Sequence, residues 1–179
     1  MQPVSVQEVK KYWDAVGKLV EGESMECLYG WQMPPWEDLC SELNWRTHLL
    51  DGGYFATKHY GYCGVYRLVG LASEGDLTKP ASLDRVCGKD TTGTLYIGHA
   101  KSLHSRLNQL RRSSSGHQSS HNAGRPMNRT LRARFPSNKL AVAILSTGAT
   151  TFRMIERDLI QAYMNSFGDT PPLNYSLRA

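Results

Sequence analysis

The chain is short of several things, and each absence narrows what it can do. It has no CxxC pair: Cys27, Cys40, Cys63 and Cys87 lie 13, 23 and 24 positions apart. Zinc sites bring their ligands in closely spaced pairs, so a structural zinc is not expected. Such spacing does not suggest a disulfide framework either, and four buried or half-buried free thiols are expected instead. No apolar run approaches the ~20 residues of a membrane span. The opening "MQPVSVQEVKKYWDAVG" lacks the basic-then-apolar layout of a secretion signal. These absences predict a cytoplasmic protein with no membrane partner. No repeat or linker divides the 179 residues, a length that suits one core of ordinary size.

The most informative absence is of negative charge. Between Thr91 and Ile155 there is no acidic residue, but there are ten basic ones: Lys101, Arg106, Arg111, Arg112, Arg125, Arg129, Arg132, Arg134, Lys139 and Arg153. Residues 1–60 carry a net charge of −4 and residues 61–179 a net charge of +9. A run of one sign repels itself until an anion neutralises it. Nucleic-acid phosphate is the commonest such partner, while a solvated basic face is the plainer alternative.

Periodicity supplies the elements. Val9, Trp13, Val16 and Val20 recur at helical spacing, and "WEDLCSELNWRTHLL" places Leu39, Leu43 and Leu50 on one side of a second helix, which "DGG" stops. "YCGVYRLVGL" (62–71) reads as a strand, residues 72–93 as a long turn-rich stretch, and "TLYIGHA" (94–100) as a second strand able to pair with the first. "SLHSRLNQLRR" is a helix, "SSSGHQSSHNAG" a loop, and "RPMNRTLRARF" a helix opened by Pro126. "KLAVAILST" is a buried strand. "ATTFRMIERDLIQAYMNSFG" is an amphipathic helix with Phe152, Ile155, Leu159, Ala162 and Tyr163 inward, followed by an extended tail. The expected fold is α+β: a small three-stranded sheet flanked by helices over residues 61–179, with an N-terminal helical extension over residues 1–60.

Five features then fall in order: Gly64-Val65-Tyr66 in the first strand, Tyr96-Ile97-Gly98 in the second, Arg106 on the helix that follows, Glu156 on the last helix, and Asn174 in "PPLNYS". Over about residues 61–176 this set resembles the GIY-YIG nuclease family, in its restriction-endonuclease-like form. The resemblance implies a nuclease-like fold and a Mg²⁺-dependent DNA endonuclease that hydrolyses phosphodiester bonds in double-stranded DNA. Site-specific restriction-type cutting is the first expectation. The alternatives are a structure- or damage-selective repair or recombination nuclease, and a non-catalytic DNA-binding module. A basic scaffold for acidic proteins is a weaker option.

The chemistry gives each residue type a reason. Glu156 can offer one hard oxygen ligand to Mg²⁺, one ion per site, with Mn²⁺ able to substitute. Its plainer reading is a helix-surface carboxylate beside Arg157. Arg106 brings permanently charged planar donors to phosphate oxygens. By resemblance, Tyr66 or Tyr96, or a water beside it, receives the nucleophile's proton while the other phenol positions phosphate or water. A phenol of ordinary pKa, ~10, is a poor base, so the metal and Arg106 are expected to lower it or relay the proton. Asn174 is expected to tie the tail back to the site. Gly64 and Gly98 would let backbone crowd it.

The sequence also departs from the family pattern. Leu110 stands where many members place a histidine or tyrosine, which removes one proton acceptor. His121 resembles a histidine that some members hold near the leaving group. His99 and His104 flank the motif and are given no role. The 29 residues between Tyr66 and Tyr96 exceed a minimal hairpin, and Lys79 and Lys89 within them are candidate DNA contacts. Lys101, Arg111, Arg112, Arg125, Arg129 and Arg132 complete the expected DNA-binding set. A homodimer built on the apolar faces of the first two helices is the expected assembly for cutting both strands.

Overall fold

The computed structural model describes residues 46–52, 63–115, 132–147 and 152–174. A four-stranded antiparallel sheet carries the fold. Its strands are β1 (Arg46–Leu49), β2 (Cys63–Gly70), β5 (Thr94–Ala100) and β6 (Leu140–Thr147), in the spatial order β1-β6-β2-β5. β3 (Leu83–Arg85) and β4 (Gly88–Asp90) form a separate hairpin inside the segment between β2 and β5. Helix α1 (Leu103–Ser114) follows β5 directly, and α2 (Phe152–Phe167) follows β6. The described fold is thus α+β, with two helices on a mostly antiparallel sheet.

Strand alternation divides the apolar residues between two faces. Tyr66, Leu68, Leu95, Tyr96 and Ala100 meet Leu103, Leu107 and Leu110 of α1, together with Phe135. Val65, Val69, Ile97, Ala141, Ala143 and Leu145 meet Phe152, Ile155, Leu159, Ile160 and Tyr163 of α2. Each fully buried leucine or isoleucine contributes about 1.5–3 kcal/mol, so the two helices are held mainly by these faces. The β2–β5 register shifts between Leu68, which faces Tyr96, and Val69, which faces Thr94. Leu95 is the extra residue of that bulge. Both Leu95 and Tyr96 therefore point toward α1, where strict alternation would have sent one away.

Local chemistry fixes the ends of α1. The Ser102 hydroxyl accepts the Ser105 backbone N–H, and the Ser113 and Ser114 hydroxyls donate back to the carbonyls of Gln109 and Arg111. Arg111 and Arg112 lie in the last turn, where the helix dipole favours positive charge. The tail beyond α2 returns to β5. The Leu173 N–H donates to the Leu95 carbonyl, so the exposed side of the last strand is covered by chain.

Several expectations are corrected. The sheet has four strands rather than three. The fourth is Arg46–Leu49, where leucine spacing predicts a helix; it pairs in register with Leu49 opposite Ala141 and Arg46 opposite Ile144. A four-residue strand is too short to show its period, and the open side of β6 decides its conformation. The turn-rich 72–93 segment contains the β3–β4 hairpin. Residues 132–134 form turns, not the end of a helix. Cys63 is a half-buried free thiol as expected, but Cys87, at the hairpin tip, is exposed. The helices expected before residue 46, Cys27 and Cys40, the Ser-rich loop from residue 116 and the tail beyond residue 174 lie outside the described residues. No helix among the described residues is long and apolar enough to cross a membrane.

Candidate active site

The site begins with a glycine. Tyr66 and Gly98 are cross-strand partners on β2 and β5. A Cβ built on Gly98 would lie 2.4 Å from Cε1 of Tyr96 and 2.8 Å from the Tyr66 hydroxyl oxygen. Only the missing side chain lets both rings lean over this point of the strand. They pack with centroids 5.9 Å apart at a tilt of 39°. Gly64 has a parallel role: a Cβ there would press on the Leu145 carbonyl and on Leu103, the first residue of α1.

Arg106 reaches the pair from the first turn of α1 and hydrogen-bonds both phenols. Burial disfavours its charge, but the Tyr66 and Tyr96 oxygens outweigh that and raise its pKa further. The phenols respond the other way. Complete burial pushes Tyr66 well above the usual tyrosine value, with the neighbouring Tyr96 adding to the rise and Arg106 only partly opposing it. Burial raises Tyr96 as well, against the pull of Arg106. Arg106 lowers both phenols, the direction expected of it, but desolvation is the larger effect and leaves both above the ordinary value. Both tyrosines are neutral O–H groups at ordinary pH.

Glu156 comes from the opposite face of the sheet. It lies on the second turn of α2 and is buried, with 7 % of its surface exposed. The plainer reading of a surface carboxylate beside Arg157 does not hold, since Arg157 pairs with Asp158 at 3.1 Å. Burial raises the Glu156 carboxyl, while His99 and then Arg106 pull it down. Its charge is felt by Tyr66 and Tyr96 in turn. Two phenols, a guanidinium and a carboxylate, contributed by β2, β5, α1 and α2, thus share one electrostatic neighbourhood.

In front of this group opens a cleft of about 340 Å³, lined by His99, Lys101, Ser102, Ser105, Arg106 and Arg153 among others. Tyr66, Tyr96 and Glu156 lie behind the lining, so Arg106 and His99 join the buried groups to the open space. Among the described residues no acidic one lines the cleft. Three cations among them face it: Lys101 from the connection between β5 and α1, Arg106 from α1 and Arg153 from α2.

Asn174 is placed by two hydrogen bonds to a single residue. Its Oδ1 accepts the Ile97 N–H at 2.9 Å, and its Nδ2 donates to the Ile97 carbonyl at 2.8 Å. It thus ties the tail to β5 between Tyr96 and Gly98, and touches backbone rather than the cleft. Leu110 is fully buried against the sheet, consistent with an apolar residue at that turn of α1. Lys101 is at the cleft. Lys79 is on an exposed turn, 3.4 Å from Asp76, and Lys89 is exposed on β4; neither lines the cleft. Arg111 and Arg112 are at the far end of α1, and Arg132 donates to the Ser113 carbonyl. His121, Arg125 and Arg129 lie outside the described residues.

Two residues carry more than their sequence suggests. His99 follows Gly98 directly, and its Nδ1 lies 2.5 Å from Oε2 of Glu156. Its ring stacks on Phe152, with centroids 5.0 Å apart and 28° between the planes. Strand alternation was the available signal, since His99 must face away from Tyr96 and toward the last helix. Arg153, three residues before Glu156 on α2, lines the cleft.

Among the described residues no three His, Cys, Asp or Glu side chains converge. The donor chemistry is instead that of one carboxylate beside a cationic cleft. That suits Mg²⁺, which keeps several waters and needs only one or two protein carboxylates when phosphate oxygens share its sphere. Glu156 is the residue that could hold it. No protein-family model, curated protein or solved structure matches the chain. The functional reading accordingly rests on these residues and on their resemblance to a known motif.

Proposed function

We propose that this protein is a Mg²⁺-dependent DNA endonuclease of the GIY-YIG kind, with double-stranded DNA as its substrate. The observation that carries the reading is Arg106. It is permanently charged, hydrogen-bonded to two buried phenols, and faces a cleft that no acidic residue lines among those described. Such a group is built to meet an anion that carries more charge in the transition state than in the ground state.

In this reading the DNA backbone enters the cleft along Lys101 and Arg153, and Arg106 donates to the non-bridging oxygens of the phosphate to be cut. Its contacts with Tyr66 and Tyr96 hold the guanidinium plane in place, so little reorganisation is needed as charge develops. The two neutral, buried phenols support Arg106 from behind; they do not act as phenolates. Glu156 would hold the magnesium ion, whose contribution is to stabilise phosphate negative charge as a Lewis acid. Asn174 keeps β5, and with it Tyr96 and Gly98, in register.

The test is cleavage of supercoiled plasmid with and without Mg²⁺ by wild type, Arg106→Ala and Glu156→Ala. Cutting should require the ion, and losing Arg106 should slow it at least ~10²-fold, as loss of a transition-state charge donor does. Equal activity in all three proteins, or none in any, defeats the reading. Discrete fragments ending at a short palindrome would assign a restriction-type enzyme. Nicking confined to branched or damaged DNA would assign a repair or recombination nuclease.

A further inference from the structure

We infer that His99 is a positioning residue for Glu156, setting the direction in which its carboxylate is presented; this rests on the nuclease reading above. The geometry has three parts. First, His99 Nδ1 is 2.5 Å from Glu156 Oε2, within hydrogen-bonding distance. A carboxylate that binds a cation is ionised and has no proton to give, so in that state Nδ1–H donates, and the bond occupies one of the two oxygens. Second, the ring is not free to turn, because its face lies on Phe152. Third, His99 is half-buried and lines the cleft, while Glu156 is buried behind it.

A glutamate on a helix has three rotatable side-chain bonds, and its carboxylate can turn about the last of them at little cost. Fixing Oε2 against an immobilised ring removes that freedom and leaves Oε1 as the oxygen for a cation. Hydrogen bonds of this kind, made to ligands rather than to the metal, are typically worth 10–100-fold in metal affinity. The arrangement also explains why a histidine stands directly after Gly98. On β5 Tyr96 and Gly98 face α1, whereas Ile97 and His99 face α2, where Glu156 is, and of these two only His99 carries a polar side chain.

The test measures ion binding apart from catalysis. Mn²⁺ binding to the full chain is followed by the loss of its free-ion electron paramagnetic resonance signal. The proteins are wild type, Glu156→Gln, His99→Ala, His99→Gln and His99→Asn, each checked for folding by circular dichroism. Asparagine places its amide nitrogen near the position of Nδ1, and glutamine places it near Nε2. We expect His99→Ala and His99→Gln to weaken Mn²⁺ binding about 10–100-fold, and His99→Asn to restore it to within a few-fold of wild type. The Mg²⁺ concentration for half-maximal cleavage should shift in the same order, with KM for DNA little changed. Wild-type affinity in His99→Ala overturns the inference. So does a loss in His99→Asn as large as in His99→Ala, because the ring's packing would then be what matters. Equal Mn²⁺ binding by wild type and Glu156→Gln is a separate outcome: it removes the functional reading itself, and the inference falls with it.

Discussion

At the scale of single residues, the tyrosines show how burial sets chemistry. Tyr66, Tyr96 and Tyr163 all have pKa values raised above the ordinary phenol, in each case chiefly by desolvation. For Tyr163 the neighbouring Asp90, whose Oδ2 accepts its hydroxyl at 2.8 Å, adds to the rise. The sign of the consequence follows from linkage. A group that holds its proton more tightly when folded contributes stability that is fully present below its unfolded pKa, here ~10. That contribution is lost as pH climbs from there toward the folded value. Stability should therefore fall steeply above about pH 10, by about 1.4 kcal/mol per pH unit for each such phenol. Tyr66→Phe, which buries the same ring without the titrating group, should flatten that limb by one proton's worth. Urea unfolding followed by circular dichroism between pH 8 and 11.5 measures both slopes, and identical slopes would show that Tyr66 ionises as readily inside as out. The motif residues were legible in the sequence because their identity and order are distinctive. What the sequence concealed is their state, since desolvation depends on everything packed around a phenol and no spacing rule carries that.

At the scale of elements, the legible parts were the long ones. β2, β5, β6 and α2 each present eight to sixteen residues, or a seven-residue alternation, in which a period can be read. β1 was not legible: Arg46–Leu49 has only four residues, and the spacing of Leu39, Leu43 and Leu50 points to a helix. The β3–β4 hairpin was hidden for a related reason, since three-residue strands cannot show alternation. A buried polar network ties that hairpin to the rest. Asp90 is fully buried and accepts from the Thr92 N–H at 2.7 Å, from the Thr92 hydroxyl at 2.6 Å and from Tyr163. Thr92 in turn pairs with Thr94, whose hydroxyl receives the fully buried Arg67. The network therefore joins β4, β5, β2 and α2. Removing the carboxylate in Asp90→Ala leaves several donors buried without an acceptor and should cost about 3–5 kcal/mol. Thermal and denaturant unfolding would show it. A loss below about 1 kcal/mol would mean that these groups find water instead.

At the scale of the whole molecule, the lopsided charge noted in the sequence becomes a question of which cations face the cleft. Lys101 and Arg153 line the cleft, whereas Lys79 is beside Asp76 on an exposed turn. Each cation that neutralises a DNA phosphate steepens the salt dependence of binding by about one unit in the log–log slope. Lys101→Gln should therefore reduce that slope by about 1, and Lys79→Gln should leave it unchanged. Fluorescence anisotropy with a labelled duplex over a range of NaCl concentrations would separate the two. Equal changes in both variants would mean that the cleft is not where the backbone lies.

The closure of β5 has a last consequence. Among the described residues no neighbouring strand covers its outer side at Ile97; a single asparagine side chain does, gripping the N–H and the carbonyl of that one residue with both of its amide atoms. The Ile97 amide can trade its hydrogen for deuterium only when the tail peels away. Its exchange rate is therefore a clock for that event, readable in the resting protein, and it sits one residue from each half of the Tyr96 and Gly98 pair.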